Sequence, residues 1–345
     1  MNNNIAVVDL FCGVGGLTCG LRQAGLNVVA GIDFDSSCEY AYKTNNKTKF
    51  IQGDIEKYPA EELKNLYGEA EVKILVGCAP CQTFSRHAQK NKKRMEDKRW
   101  HLLDSFANYI KEIEPDIVSM ENVPGLIKTD VFTNFINTLE NLDYKVSFQV
   151  VDCSKYGMPQ KRKRLVLLAS KYGKINLISP TNKIKTVRDV LGNLAPIKAG
   201  GRDEKDLLHR CAGLKDINIT RIKASRPGGS WAKDWKYEMR PDCYKRMTGL
   251  SWTDVYGRME WDKPSPTMTT KFFSYGTGRF GHPEQNRALS LREGALLQTF
   301  PQDYRFFENE ESITIGTIAR HIGNAVPVEL GRVIGKSIKK HLKGV

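Results

Sequence analysis

Cys81 stands in the run Gly77-Cys78-Ala79-Pro80-Cys81-Gln82-Thr83-Phe84-Ser85, directly after a proline. The preceding residues, Val72-Lys73-Ile74-Leu75-Val76, read as a buried strand. A thiol at the end of such a strand is held in place, and as the thiolate it adds to an electron-poor carbon. Glu121, in Glu121-Asn122-Val123-Pro124 at the end of another apolar run, supplies a matching carboxylic acid. Such an acid hydrogen-bonds a ring nitrogen as that nitrogen gains charge. Taken alone, Glu121 reads equally as an acid at a helix N-terminus. Gln160-Lys161-Arg162-Lys163-Arg164 lies just ahead of a further apolar run. Extended backbone there puts Arg162 and Arg164 on one face, and an exposed basic turn is the alternative.

Phe11-Cys12-Gly13-Val14-Gly15-Gly16 is a glycine-rich turn after the first apolar run. Gly13, Gly15 and Gly16 let the backbone turn tightly and approach a ligand. The third glycine of the dinucleotide fingerprint is missing, but Asp33 follows about 20 residues on, where a carboxylate accepts from both ribose hydroxyls. The turn and Asp33 together favour a nucleoside-containing cofactor. Asp54 ends a third strand and either accepts from an adenine amino group or caps a turn. Cys78 and Cys81 also have the spacing of a thioredoxin-like redox pair. That pair opens a helix early in a small domain, whereas this one follows a fourth strand. Zinc needs a second ligand pair at similar spacing, and none of the other cysteines forms one, so no metal is expected.

The elements that must position these residues alternate. Apolar runs at 5–10, 28–32, 48–52, 72–76, 117–120, 146–151 and 165–169 read as strands. Helical spacing appears at 17–24, 36–45, 102–113 and 132–142 between them. The alternation predicts a mostly parallel, doubly wound α/β sheet with helices on both faces. In such sheets ligands sit beyond the carboxyl ends of the strands, and every motif above falls at such an end. From about 179 to 259 periodicity fades and glycine, proline, lysine and tryptophan become frequent, which predicts a smaller second domain. Helices return at 290–299, opened by a Ser290/Glu293 capping box, and at 315–321 and 328–341.

The chain has 345 residues, eight cysteines and a formal charge of +14. The charge favours a polyanionic partner, and its clusters at Lys90–Arg99 and Lys161–Arg164 adjoin candidate motifs. No apolar run approaches the ~20 residues that span a bilayer. The polar N-terminus shows no signal peptide, so a cytoplasmic protein with mostly reduced cysteines is expected.

Together the motifs resemble the cytosine-5 DNA methyltransferase family, in the family's order and along nearly the whole chain. Asp9-Leu10-Phe11-Cys12-Gly13-Val14-Gly15-Gly16 resembles its cofactor loop. Asp33 stands for the ribose-binding acid, normally Glu, and Gly53-Asp54-Ile55 resembles the adenine-contacting block. Ala79-Pro80-Cys81-Gln82 resembles the nucleophile motif, with Ala79 for its usual first proline. Glu121-Asn122-Val123, Gln160-x-Arg162-x-Arg164, Gln298-Thr299-Phe300-Pro301 and Gly323-Asn324-Ala325-Val326-Pro327 complete the set.

The resemblance implies a Rossmann-like, S-adenosylmethionine-dependent methyltransferase domain over 1–178, completed by 312–345. Residues 179–311 would form the target-recognition domain and hinge. It implies S-adenosyl-L-methionine as donor, contacted by Phe11, Gly13, Gly15, Gly16, Asp33, Asp54, Pro80 and Asn324. The acceptor is a cytosine flipped out of double-stranded DNA, at a cost of a few kcal/mol. Cys81 would attack C6, Glu121 would hydrogen-bond N3 and the exocyclic amine, and Arg162 and Arg164 would hold the base and the Glu121 carboxylate. A base then removes the C5 proton as Cys81 leaves. The expected protein is a monomeric, nucleoid-associated bacterial or phage modification enzyme, with a restriction endonuclease acting separately. Two other readings remain. A tRNA-modifying relative shares the blocks but carries a Cys-Phe-Thr signature absent here. A thiol–disulfide oxidoreductase would use Cys78 and Cys81, and replacing Cys78 would then abolish redox chemistry while sparing methylation.

Overall fold

A computed structural model describes residues 4–80, 101–246 and 253–344. The chain divides into two compact units. The first comprises Met1–Tyr156, Lys163–Thr181 and Val326–Val345, and the second Gly157–Arg162 and Asn182–Ala325.

In the first unit strands and helices alternate: β1 (Ile5–Leu10), α1 (Gly16–Gln23), β2 (Val28–Asp33), α2 (Glu39–Asn46) and β3 (Lys49–Gln52). There follow α3 (Ala60–Asn65), β4 (Val72–Gly77), α4 (His101–Ile113), β5 (Ile117–Asn122), α5 (Asp130–Asn141), β6 (Lys145–Asp152) and β7 (Lys163–Ser170). The seven strands form one sheet in the order β3-β2-β1-β4-β5-β7-β6. The β1–β2, β1–β4, β2–β3 and β4–β5 pairs are parallel, while β7 is antiparallel to both its neighbours. Order reverses between β1 and β4, the place where doubly wound sheets open a crevice for ligands. All six residues of β5 are buried, as befits a strand covered on both faces. One face of the sheet packs against α4 and α5, whose Phe106 and Phe135 meet edge to face at 5.4 Å.

Three details depart from the sequence reading. The segment at 36–45 opens with a 3-10 turn, Ser36–Cys38, because the Asp35 side chain accepts from the Ser37 N–H before α2 begins. The last strand starts at Lys163, so Arg164 lies within β7 instead of ahead of it. The short helix α3 carries no clear apolar period and was not expected.

The second unit is sparser. Its helices are α6 (Val187–Leu191), α7 (Asp216–Ala224), α8 (Trp231–Asp234), α9 (Asp242–Lys245), α10 (Leu291–Leu297) and α11 (Ile315–Asn324). Buried backbone without a regular ladder must find other partners. Arg258 is one such partner. Its buried guanidinium donates to the carbonyls of Ile222, Ser225, His282 and Gln285 at 2.7–3.1 Å. A bidentate pair between Arg287 and Glu293, at 2.8 and 2.7 Å, is also buried, and Glu293 completes the expected capping box with Ser290. Trp231 and Trp235 lie in a small core with Ile222, Tyr275 and Ala288.

The chain then returns to the first unit as α12 (Val328–Leu342), which packs along α1. Glycines make this seam close. A Cβ on Gly331 would lie 2.8 Å from the Leu17 carbonyl oxygen, nearer than any side chain tolerates.

Candidate active site

The first unit presents its motifs at one end of the sheet. Phe11–Gly15 follow β1, and three of these residues, Phe11, Gly13 and Gly15, have positive φ (59°, 51° and 85°). Glycine takes that region without strain, whereas Phe11 is held there by the turn. The Cys12 N–H donates to the Ile32 carbonyl at 3.1 Å, and the Gly13 N–H to Asp33 Oδ2 at 2.8 Å. Asp33 Oδ1 accepts from the Asp35 N–H at 2.9 Å. Both carboxylate oxygens therefore accept from backbone N–H groups. Burial raises the Asp33 pKa, and these backbone donors partly offset it. Nothing lies within 4 Å of the direction a Cβ on Gly13 would take, so the turn is open on that side. Gly16 begins α1 and is buried.

Asp54 follows β3, whose end is tied back by the Gly53 N–H to the Asp33 carbonyl at 3.0 Å. Its Oδ1 accepts from the Glu56 N–H at 3.1 Å, and its carbonyl from Lys57 and Tyr58 at 2.8 Å. It heads a turn and remains half-buried.

A second group gathers where β4 and β5 end. Glu121 is buried, 3 % exposed. Arg164 Nε on β7 stands 2.9 Å from its Oε1 as an ion pair, with no hydrogen bond aligned on that oxygen. β7 brings Arg164 there through its antiparallel register, in which Glu121 pairs with Val166. The Cys78 thiol lies 2.9 Å from Oε2. Asn122 Nδ2 donates to the Ala79 carbonyl at 3.1 Å, so two side chains of β5 grip the segment ahead of Pro80. Cys81 itself, and the basic stretch after it, lie outside the described residues.

Gln160 and Arg162 belong to the second unit. Arg162 is buried and donates to the Met268 carbonyl at 3.0 Å. Gln160 Nε2 donates to the Leu297 carbonyl and to Gln298 Oε1 at 3.1 and 2.9 Å, and its own Oε1 accepts from the Met268 N–H. Asn324 is exposed at the end of α11.

Two residues escaped the motif reading. Phe34, beside Asp33, is 74 % exposed, and an aromatic face so placed suits a planar base. Asn122 stands inside a quoted motif, but its grip on Ala79 depends on the β4–β5 pairing, which only the fold reveals.

A sheet of this order, with an open glycine turn after β1 and a buried carboxylate at the end of β5, is that of the doubly wound α/β methyltransferases. A putative DNA modification methyltransferase from an Escherichia coli prophage shares the fold at a TM-score of 0.72, with 23% identity over 98% of this chain and 99% of that one. An Entamoeba histolytica methyltransferase, EhMeth, shares it at 0.70 with 14% identity, covering 98% and 99%. The family model of the C-5 cytosine-specific DNA methylases matches residues 5–340, and the chain belongs to that family. Type II methylase M.HgiDII of Herpetosiphon aurantiacus is 54% identical over 99% of this chain and 96% of its own length. Type II methyltransferase M.Eco47II of Escherichia coli is 32% identical over 98% and 79%. The protein is a DNA cytosine-5 methyltransferase. These matches support neither the tRNA-modifying nor the redox reading.

Proposed function

We propose that the protein methylates C5 of a cytosine within a specific double-stranded DNA sequence, as the modification enzyme of a Type II system. The observation that carries this reading is the buried Glu121 carboxylate held by Arg164 at the carboxyl end of β5. It stands beside the strand whose next loop leads to Cys81.

S-adenosylmethionine fits the first unit. The turn is open at Gly13, the Asp33 carboxylate stands beside it to meet a ribose hydroxyl, and Phe34 offers a ring face. Phe11, Gly15, Gly16, Asp54 and Pro80 complete this proposed surface, and Asn324 of the second unit is assigned to it on the resemblance. When bound, this cosubstrate supplies an electrophilic methyl group.

The chain's own residues do the rest. Cys81 adds to C6 of the flipped base, which makes C5 nucleophilic. Glu121, protonated on one oxygen, donates to N3 and offsets the charge gathering there. Arg164 pairs with its Oε1, and Arg162 is assigned to the same pocket. After methyl transfer the C5 proton departs to a base, and the Cys81–C6 bond breaks. The second unit, with irregular loops braced by Arg258 and Arg287, carries target recognition in this reading.

Bisulfite sequencing of DNA from cells expressing the protein, beside a Cys81→Ala variant, tests this. Protected cytosines in one sequence context with the parent, and none with the variant, are expected. Equal protection by both would refute the role of Cys81.

A further inference from the structure

We propose that Cys78 is a positioning residue for the reaction, its thiol donating a hydrogen bond to Oε2 of Glu121. The inference rests on the reading of Glu121 as the acid that meets the cytosine ring.

The arrangement follows from strand register. β4 and β5 run parallel with Gly77 opposite Met120. One step further, Cys78 comes level with Glu121, and level residues of paired strands carry their side chains to the same face. The Sγ–Oε2 separation is 2.9 Å. A thiolate so close to a carboxylate would be repelled, so the sulfur keeps its proton and donates it. The Cys78 backbone is held as well, its N–H directed at the Leu10 carbonyl at 3.4 Å. Glu121 is thus gripped on both oxygens, by the Arg164 cation on Oε1 and by a neutral donor on Oε2.

The two grips differ in consequence. A buried carboxylate with a single cationic partner can still turn about its last bond. A second donor fixes the plane of the group, and with it the oxygen that faces the substrate. Cys78 therefore sets the direction of Glu121. The sequence reading expected methylation to be spared when Cys78 is replaced. The contact with Glu121 changes that expectation.

The experiment compares single-turnover methylation of a cognate duplex by the parent and by Cys78→Ala, Cys78→Ser and Glu121→Ala. Thermal midpoint and cofactor affinity are measured for each variant. Loss of the donor should slow Cys78→Ala about tenfold. Cofactor affinity should stay within about twofold of the parent's, so that the loss falls on the chemical step. Cys78→Ser, which restores an O–H donor, should recover most of the rate. Parental rate in Cys78→Ala would overturn the proposal. So would a slower rate with no recovery in Cys78→Ser, since that marks a packing effect. Activity retained by Glu121→Ala would instead refute the underlying role of Glu121.

Discussion

At the residue scale, chemistry was legible where a residue type could be matched to a reacting atom. Glu121 drew notice as an acid closing an apolar run, and its partner Arg164 as an alternate residue of a basic stretch. Their meeting at 2.9 Å depends on β7 running antiparallel beside β5, which spacing alone does not encode. Removing one member of a buried pair leaves the other uncompensated. Arg164→Ala should therefore lower the single-turnover rate by about tenfold or more while cofactor affinity stays within about twofold, as rapid quench and equilibrium binding would show.

Asp9 is a different case. It is buried at the end of β1, where Thr18 Oγ1 donates to its Oδ2 at 2.6 Å and Tyr42 joins Thr18 at 3.1 Å. Burial, with the Asp33 charge adding to it, pushes its pKa from 3.8 up to about 7. The native state thus binds this proton more tightly than the unfolded chain. The associated stability is complete below about pH 4 and drains away as pH rises towards 7. Asp9→Asn cannot ionise and should lack this loss. Between pH 5 and 8 the parent's urea midpoint should fall relative to the variant's. Parallel curves across that range would refute the assignment.

At the scale of elements, the strands were read well because each is a short apolar run bounded by polar or glycine-containing turns. Their ends moved by one or two residues where hydrogen bonding continued past the apolar stretch, as at Lys163. Helix α3 stayed hidden because it is short and largely polar, with only Leu63 buried. The α1–α12 seam was also hidden. Nothing local marks Gly331 as a contact point, yet its neighbour is the backbone of Leu17. Gly331→Val should force this seam apart at a cost of about 1–3 kcal/mol, lowering the thermal midpoint and loosening the glycine turn that precedes α1. A variant with the parental midpoint would show that the two helices can separate freely.

At the scale of the whole molecule, the +14 charge gave the clearest forecast of a polyanionic partner, and membership of a DNA methylase family agrees with it. The irregular second unit was foreseen only as a loss of periodicity. Its order comes from side chains such as Arg258 and Arg287 bonding loop carbonyls and a buried acid, a pattern with no sequence period. Among the described residues, no helix is long and apolar enough to cross a membrane. Charge also makes a quantitative forecast for Lys92, Lys93 and Arg94, which lie outside the described residues. If each neutralises a phosphate, replacing all three with glutamine should flatten the log–log salt dependence of DNA affinity by about 2.7 units. An unchanged slope in a titration from low to moderate salt would remove that segment from the interface.

Helix α12 belongs to the same unit as β1 although some three hundred positions separate them in the chain. A polypeptide cut anywhere ahead of Val328 therefore lacks a wall of the unit it would need, and such a product should fail to fold to the parental thermal midpoint. The same dependence offers a control handle. Two halves made separately, one bearing α1 and the other α12, would stay silent until brought together.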